Sequence, residues 1–132
     1  MNTQSDPIRS ASEKLANGLF NDALEEALAA IPSSLSDLQR GSAHYIIGCS
    51  LKELGRTQEA LPHFLESVTA MPTNEPMLIA HVQDEIARIQ LGNGFLGSAL
   101  FFIDMAIANF ELSGSVEMKE QSQLVKEEIL TK

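Results

Sequence analysis

The sequence predicts an all-α fold of about seven helices arranged as helix hairpins, and three observations carry this. Apolar residues recur at helical spacing along most of the chain. No run alternates with period two over a useful length. A glycine followed five residues later by Ala-Leu occurs three times. Those glycines, Gly18, Gly55 and Gly94, stand 37 and 39 residues apart. A fixed interval of that size marks a supersecondary unit that buries its apolar face only against a neighbouring copy.

Residues 1–5 carry no pattern and are expected to be disordered. Asp6-Pro7 opens a first helix, since Asp6 can cap free amides and proline suits the first helical position. Ile8, Ala11 and Leu15, then Leu19 and Phe20, recur at helical spacing, with Asn17-Gly18 as the stop. A second helix carries Ala23, Leu24, Ala27, Leu28 and Ile31 on one face and ends at Pro32. Ser34-Leu35-Ser36-Asp37 matches a capping box, Ser34 covering an amide and Asp37 answering it. The third helix runs through Leu38, Tyr45, Ile46, Ile47, Leu51 and Leu54 to Gly55. Its partner starts near Thr57, carries Ala60, Leu61, Phe64, Leu65 and Val68, and stops before Pro72, with Pro62 in its first turn. Thr73 or Asn74 caps a fifth helix, with Pro76 just inside it and Leu78, Ile79, Val82, Ile86 and Ile89 on its apolar face. Gly92-Asn93-Gly94 is a turn, Phe95 to Leu112 the sixth helix, and Gly114 a separator. Ser115 to Leu130 is a charged seventh helix with Val116, Leu124, Val125 and Ile129 as a thin apolar stripe.

Composition bounds the function classes. A chain of 132 residues with 44% hydrophobic residues is long enough for one domain, expected over residues 6–132. The net charge of −9, with no Lys/Arg-rich window, argues against nucleic acid and an anionic membrane as partners and favours solubility or a basic partner. Cys49 is the one cysteine and can form no internal disulfide. The opening MNTQSDPIRS lacks a signal-peptide pattern, and the most apolar stretch, Ala99 to Ile107, is too short to span a bilayer. A cytoplasmic protein with no membrane insertion is expected.

The central stretch supplies His44, Ile47-Gly48, Leu51, Ala60, Phe64 and Pro72 in the frame W-x2-L-G-x2-Y, then A-x3-F, then P. It therefore resembles the tetratricopeptide repeat family, with His44 in place of the tryptophan and Leu51 in place of the tyrosine. Ala11, Ala23 and Ala27 fall in the same frame in the first copy, and Ile86-Ala87, Ala99 and Ile103 in the third. The resemblance implies three hairpins, at about 6–33, 34–72 and 74–112, in a right-handed superhelical α-solenoid, with a capping helix at 115–131. The segment from Asn74-Glu75-Pro76 through Ala80-His81 to Gly94 and Ala99 is more loosely similar to the class II chaperones of bacterial type III secretion systems.

The family's concave groove is lined by the first helix of each repeat and holds peptides or helices. Carried over, it presents Ile8, Arg9 and Ser12, then Tyr45, Cys49, Lys52 and Glu53, then His81, Asp84, Glu85 and Arg88. This lining is mixed in sign and has no asparagine, unlike members that clamp an acidic chaperone tail. Tyr45 is the candidate anchor, or else closes the packing between repeats. The sixth helix is apolar nearly all round, so either the seventh packs over the excess or Phe101, Phe102 and Phe110 face a partner or a second copy, giving a homodimer.

The chemical inventory is thin. His44, His63 and His81 form no HxxxH or HExxH pair, so no metal is expected, and His44 reads as a packing residue. Cys49 reads as a small buried thiol, and Glu25-Glu26 and Glu127-Glu128 as solvated faces. No catalytic constellation and no cofactor site is expected. The resulting expectation is a protein-binding module, adaptor or chaperone, not an enzyme; the alternative is a self-assembling structural subunit.

Overall fold

A computed structural model describes residues 6–132, so the expected disorder of residues 1–5 lies outside the described residues. Among the described residues the fold is all-α, with seven helices and no strand. They are α1 (Arg9–Ala16), α2 (Phe20–Ala30), α3 (Asp37–Glu53), α4 (Thr57–Ala70), α5 (Pro76–Gly92), α6 (Leu96–Leu112) and α7 (Val116–Leu130). The chain divides into two compact units, one ending at Ala70 and the other beginning at Met71. The first holds α1 to α4 and the second α5 to α7.

Four of the connections are one turn repeated. Gly18, Gly55, Gly94 and Gly114 have φ of 78°, 80°, 82° and 77°, the left-handed region that glycine enters without a Cβ penalty. The amide after each glycine reaches back five residues: Leu19 to the Lys14 carbonyl, Arg56 to Leu51, Phe95 to Gln90 and Ser115 to Phe110, at 2.8 to 2.9 Å. Each bond satisfies a carbonyl that the ending helix leaves open, and each turn folds the next helix back antiparallel.

Local signals fall close to where the residues predict, with four corrections. Asp6 Oδ1 accepts from the Ile8 amide at 3.0 Å, but α1 begins at Arg9 with Ile8 at its cap position and no side chain over it, so Pro7 lies in the turn before the helix and not at its first position. The capping box, however, is built on Ser36 and Gln39, not on Ser34 and Asp37: Ser36 Oγ accepts from the Gln39 amide at 3.1 Å, and Gln39 Oε1 from the Ser36 amide at 3.0 Å. The glutamine arm is one methylene longer than aspartate and so reaches back to the cap. Pro62 is the sixth residue of α4, past the first turn, where it gives up one bond of the helix ladder. Pro76 is the first residue of α5, as expected, but the cap position is Glu75 instead of Thr73 or Asn74.

In the first unit α1 pairs with α2, α2 packs on α3 and α3 pairs with α4. Its core is small side chains set against a few large ones: Ala11, Ala23 and Ala27 are fully buried, as are Ile47, Ala60 and Phe64. The tightest approach is at Gly48 on α3. A Cβ there would lie 2.7 to 2.9 Å from three atoms of the Phe64 ring. Gly48 thus sets how near α4 can come, and Ser67 Oγ on α4, fully buried, donates to the Gly41 carbonyl at 2.6 Å along the same crossing. In the second unit Ala80, Ala87, Ala99, Ile103, Ala106, Phe110, Val125 and Ile129 form one buried cluster drawn from α5, α6 and α7.

Helix faces depart from the sequence pattern in places. Leu28 and Leu65 are 47% and 41% exposed although they sit on helices whose neighbouring apolar residues are buried. On α7 the buried stripe runs through Ser122, Val125 and Ile129, with Met118 partly buried against the core, while Val116 and Leu124 are each 65% exposed. Positions 118, 122, 125 and 129 follow one helical face, and Leu124 lies about 100° away from it.

The Gly48 crossing yields the first expected outcome. Gly48→Ala must displace the Phe64 ring and should cost about 1–3 kcal/mol in urea unfolding. Combined with Phe64→Leu, the loss should be smaller than the two single losses added, because the shorter side chain vacates the contested space.

Candidate functional site

The residues expected to line a groove divide between the two units, and each set is described on its own helix. On α3, Tyr45, Cys49 and Lys52 share one face at helical spacing. Tyr45 is half-buried, its ring tilted by 54° against that of Phe64 with centroids 5.9 Å apart. Phe64 therefore supports the tyrosine from beneath, and Gly48 gives Phe64 the room to do so. Cys49 is buried, only 8% exposed, which keeps its thiol out of the reach of large reagents. Lys52 is half-buried, its ammonium 3.9 Å from the neighbouring Glu53 carboxylate. Arg9 and Ser12 on α1 are exposed, Arg9 lying 3.6 Å from Glu13 one turn on.

On α5 the picture differs. His81 is half-buried and stands edge-on to Phe110, centroids 5.0 Å apart. Asp84 is 8% exposed and faces inward: its Oδ1 accepts from Ser122 Oγ of α7 at 2.9 Å, and its Oδ2 from Arg88 Nε at 2.7 Å. Asp84 is therefore a buried tie between α5 and α7 and not an open groove residue. The desolvation of its carboxyl is met by one hydroxyl and one guanidinium. Arg88 remains exposed on the outer side of that pair. Beside it Asn109 Nδ2 donates to Gln83 Oε1 at 2.9 Å, joining α6 to α5.

The phenylalanines of α6 part company. Phe110 is fully buried in the second unit's core and offers no surface, so it drops out of any interface. Phe102 is partly buried against the same cluster, and Phe101, edge-on to Phe102 at 5.3 Å, is 61% exposed. Met118, Val125 and Ile129 of α7 pack into the same cluster as Phe110.

Sequence reasoning missed one pair outright. His44 lies eleven residues before Gly55 and His63 eight after it, and the hairpin brings their Nδ1 atoms to 3.1 Å. The available signal was that an antiparallel hairpin brings positions on either side of its turn together, but the offset of three residues hid the pair. Partial burial lowers both imidazoles from their ordinary value; at His44 the charge of His63 and Arg40 adds to this while Glu66 opposes it, and at His63 Glu66 opposes burial. Among the described residues no group of three or more His, Cys, Asp or Glu could hold a metal ion. A shallow cavity of about 330 Å³ lies in the first unit, lined by Gly18, Leu19, Phe20, Asn21, Asp22 and Leu54. None of the expected groove residues lines it. No helix among the described residues is long and apolar enough to cross a membrane. Comparison of the chain with protein-family models, with curated proteins and with solved structures finds no match in any of the three.

The buried tie gives the second expected outcome. Ser122→Ala removes the donor to Asp84 Oδ1 and should destabilise by about 1–3 kcal/mol. Amide hydrogen exchange on α7 should quicken more than exchange in α3 and α4.

Proposed function

We propose that the chain is a protein-binding repeat module of tetratricopeptide type, an adaptor or chaperone that holds a peptide or helical segment of another protein. The observation that carries this reading is the α3 face. There a half-buried tyrosine is held by a ring beneath it and followed at helical spacing by a half-buried lysine, on a helix whose opposite side is core. A rigid amphipathic ring beside a cation is the kind of anchor that protein interfaces use. The recurrence of one glycine turn at four helix ends supports a repeat as the building unit. Charge supports the choice of partner: nine acidic residues stand against five basic in the first unit and nine against four in the second. Either unit alone repels a polyanion and attracts a basic segment.

A second reading, a self-assembling subunit, is favoured by the exposure of Phe101 at 61%. The two readings part in solution. For a peptide-binding module, affinity capture from native lysate should lose specific partners in the Tyr45→Ala, Lys52→Ala, Arg88→Ala variant while far-UV circular dichroism stays unchanged. Retention of every captured protein by that variant removes the α3 and α5 faces from consideration. For the subunit, sedimentation should show a concentration-dependent oligomer that Phe101→Asp converts to monomer.

A further inference from the structure

Two histidines meet across the α3–α4 hairpin in a geometry that limits how many protons they can hold. Their Nδ1 atoms are 3.1 Å apart and their ring centroids 5.3 Å, with the ring planes 26° from parallel. A centroid separation that exceeds the nitrogen separation by roughly two ring radii places the rings end to end, each Nδ1 facing the other. Two nitrogens so placed share a single hydrogen, one ring donating N–H and the other accepting with its lone pair. A first added proton can take the far nitrogen of the donor ring and leave the bond intact. A second has the bonded lone pair of the acceptor as its site, where it abolishes the hydrogen bond and sets two cations against each other.

The pair does not stand alone on the hairpin. Next along both helices the Tyr45 ring rests on Phe64, and Phe64 in turn fills the space over Gly48. The histidine bond and the aromatic contact join adjacent residues of the same two helices. If α4 withdraws at His63, it carries Phe64 from beneath Tyr45.

We propose that the His44–His63 pair is a proton-operated clasp, closed while it holds at most one added proton and opened by the second, so that mild acid loosens α3 from α4 and shifts the Tyr45 ring. The charges acting on the pair come from Glu66 on α4, which favours proton uptake, and Arg40 on α3, which opposes it at His44. On α4 the other charged side chain is Glu59, which pairs with Arg56, and on α1 and α2, which also pack against α3, the charged side chains are Arg9, Glu13, Lys14, Asp22, Glu25 and Glu26. Arg9 pairs with Glu13 and Lys14 with Glu26, and Asp22 and Glu25 are exposed. Both imidazoles lie below their ordinary value in the folded chain, so the unfolded chain takes up these protons first. The stability that the neutral pair contributes is whole above about pH 6.5 and is lost as pH falls through the lower folded values. Any effect on a bound peptide rests on the function proposed above; the clasp itself does not.

Tyr45 is the one tyrosine of a chain without tryptophan, so tyrosine emission reports this site alone. Emission of the full chain should step as pH falls below about 6.5 while the helical circular dichroism persists. The step should vanish in His63→Gln and in His44→Gln. Imidazole ¹⁵N spectra of the wild type should show the second proton taken up over the same range as the step. Flat emission across that range, a step that survives in both variants, or two imidazoles that titrate independently of one another overturns the clasp. If a glutamine variant does not fold, the wild-type spectra and emission decide by themselves. Because emission is read on the isolated chain, a failed capture experiment leaves this result standing, and the reverse also holds.

Discussion

The hydrogen atom that serves as the side chain of residue 48 sets the geometry of the central hairpin. With no Cβ there, the Phe64 ring lies against the α3 backbone, and α4 follows it inward. The other contacts of that crossing depend on this approach. Ser67 reaches the Gly41 carbonyl, the His44 and His63 rings meet end to end, and Tyr45 finds Phe64 as a floor. In the α5–α6 cluster the matching places hold Ala87 and Ile103, both fully buried: a methyl returns on one helix and a ring is lost on the other. Close packing demands such an exchange, because interiors have no spare volume for both.

A second constraint, polar this time, turns α7. Its apolar residues alone would set Val116, Leu124, Val125 and Ile129 toward the core, but these do not share one face. The observed stripe includes Ser122 because a buried carboxyl on α5 needs a donor, and Ser122 Oγ supplies it at 2.9 Å. Leaving Asp84 unanswered in the interior costs more than leaving Leu124 in water, so the polar tie decides the rotation and the leucine is exposed.

Those two constraints explain what was legible in the residues and what was not. The helices and their turns were legible because glycine, proline and periodicity act locally; Gly18, Gly55, Gly94 and Gly114 each mark a turn that the backbone then makes. The faces were legible only where apolar pattern and burial coincide, as at Ile47, Phe64, Ile86 and Ile103. They failed at Leu28, Leu65 and Leu124, and at Leu124 the deciding contact, Ser122 with Asp84, involves another helix. The candidate site divided the same way. Tyr45 and Lys52 could be placed on a common face by spacing, whereas the inward turn of Asp84 and the meeting of His44 with His63 depend on residues many positions away. The chosen cap, Ser36 over Ser34, turned on the reach of one side chain three residues on.

The distribution of satisfied polar groups bears on how such a surface could recognise anything. On α5 the polar side chains are spent internally: Asp84 on Ser122 and Arg88, Gln83 on Asn109, His81 against Phe110. A charge already paired inside the fold gains little by pairing with a partner, since the new bond replaces an old one. On α3 the half-buried Tyr45 ring rests against Phe64, which restrains its position. Recognition there would draw on shape and apolar area around one fixed ring, with the surrounding acidic charge setting the rate and the sign of the approach instead of the final grip. On the function proposed above, that division also makes the Tyr45 floor the sensitive point, because whatever moves Phe64 by a fraction of its own width alters the ring set against it.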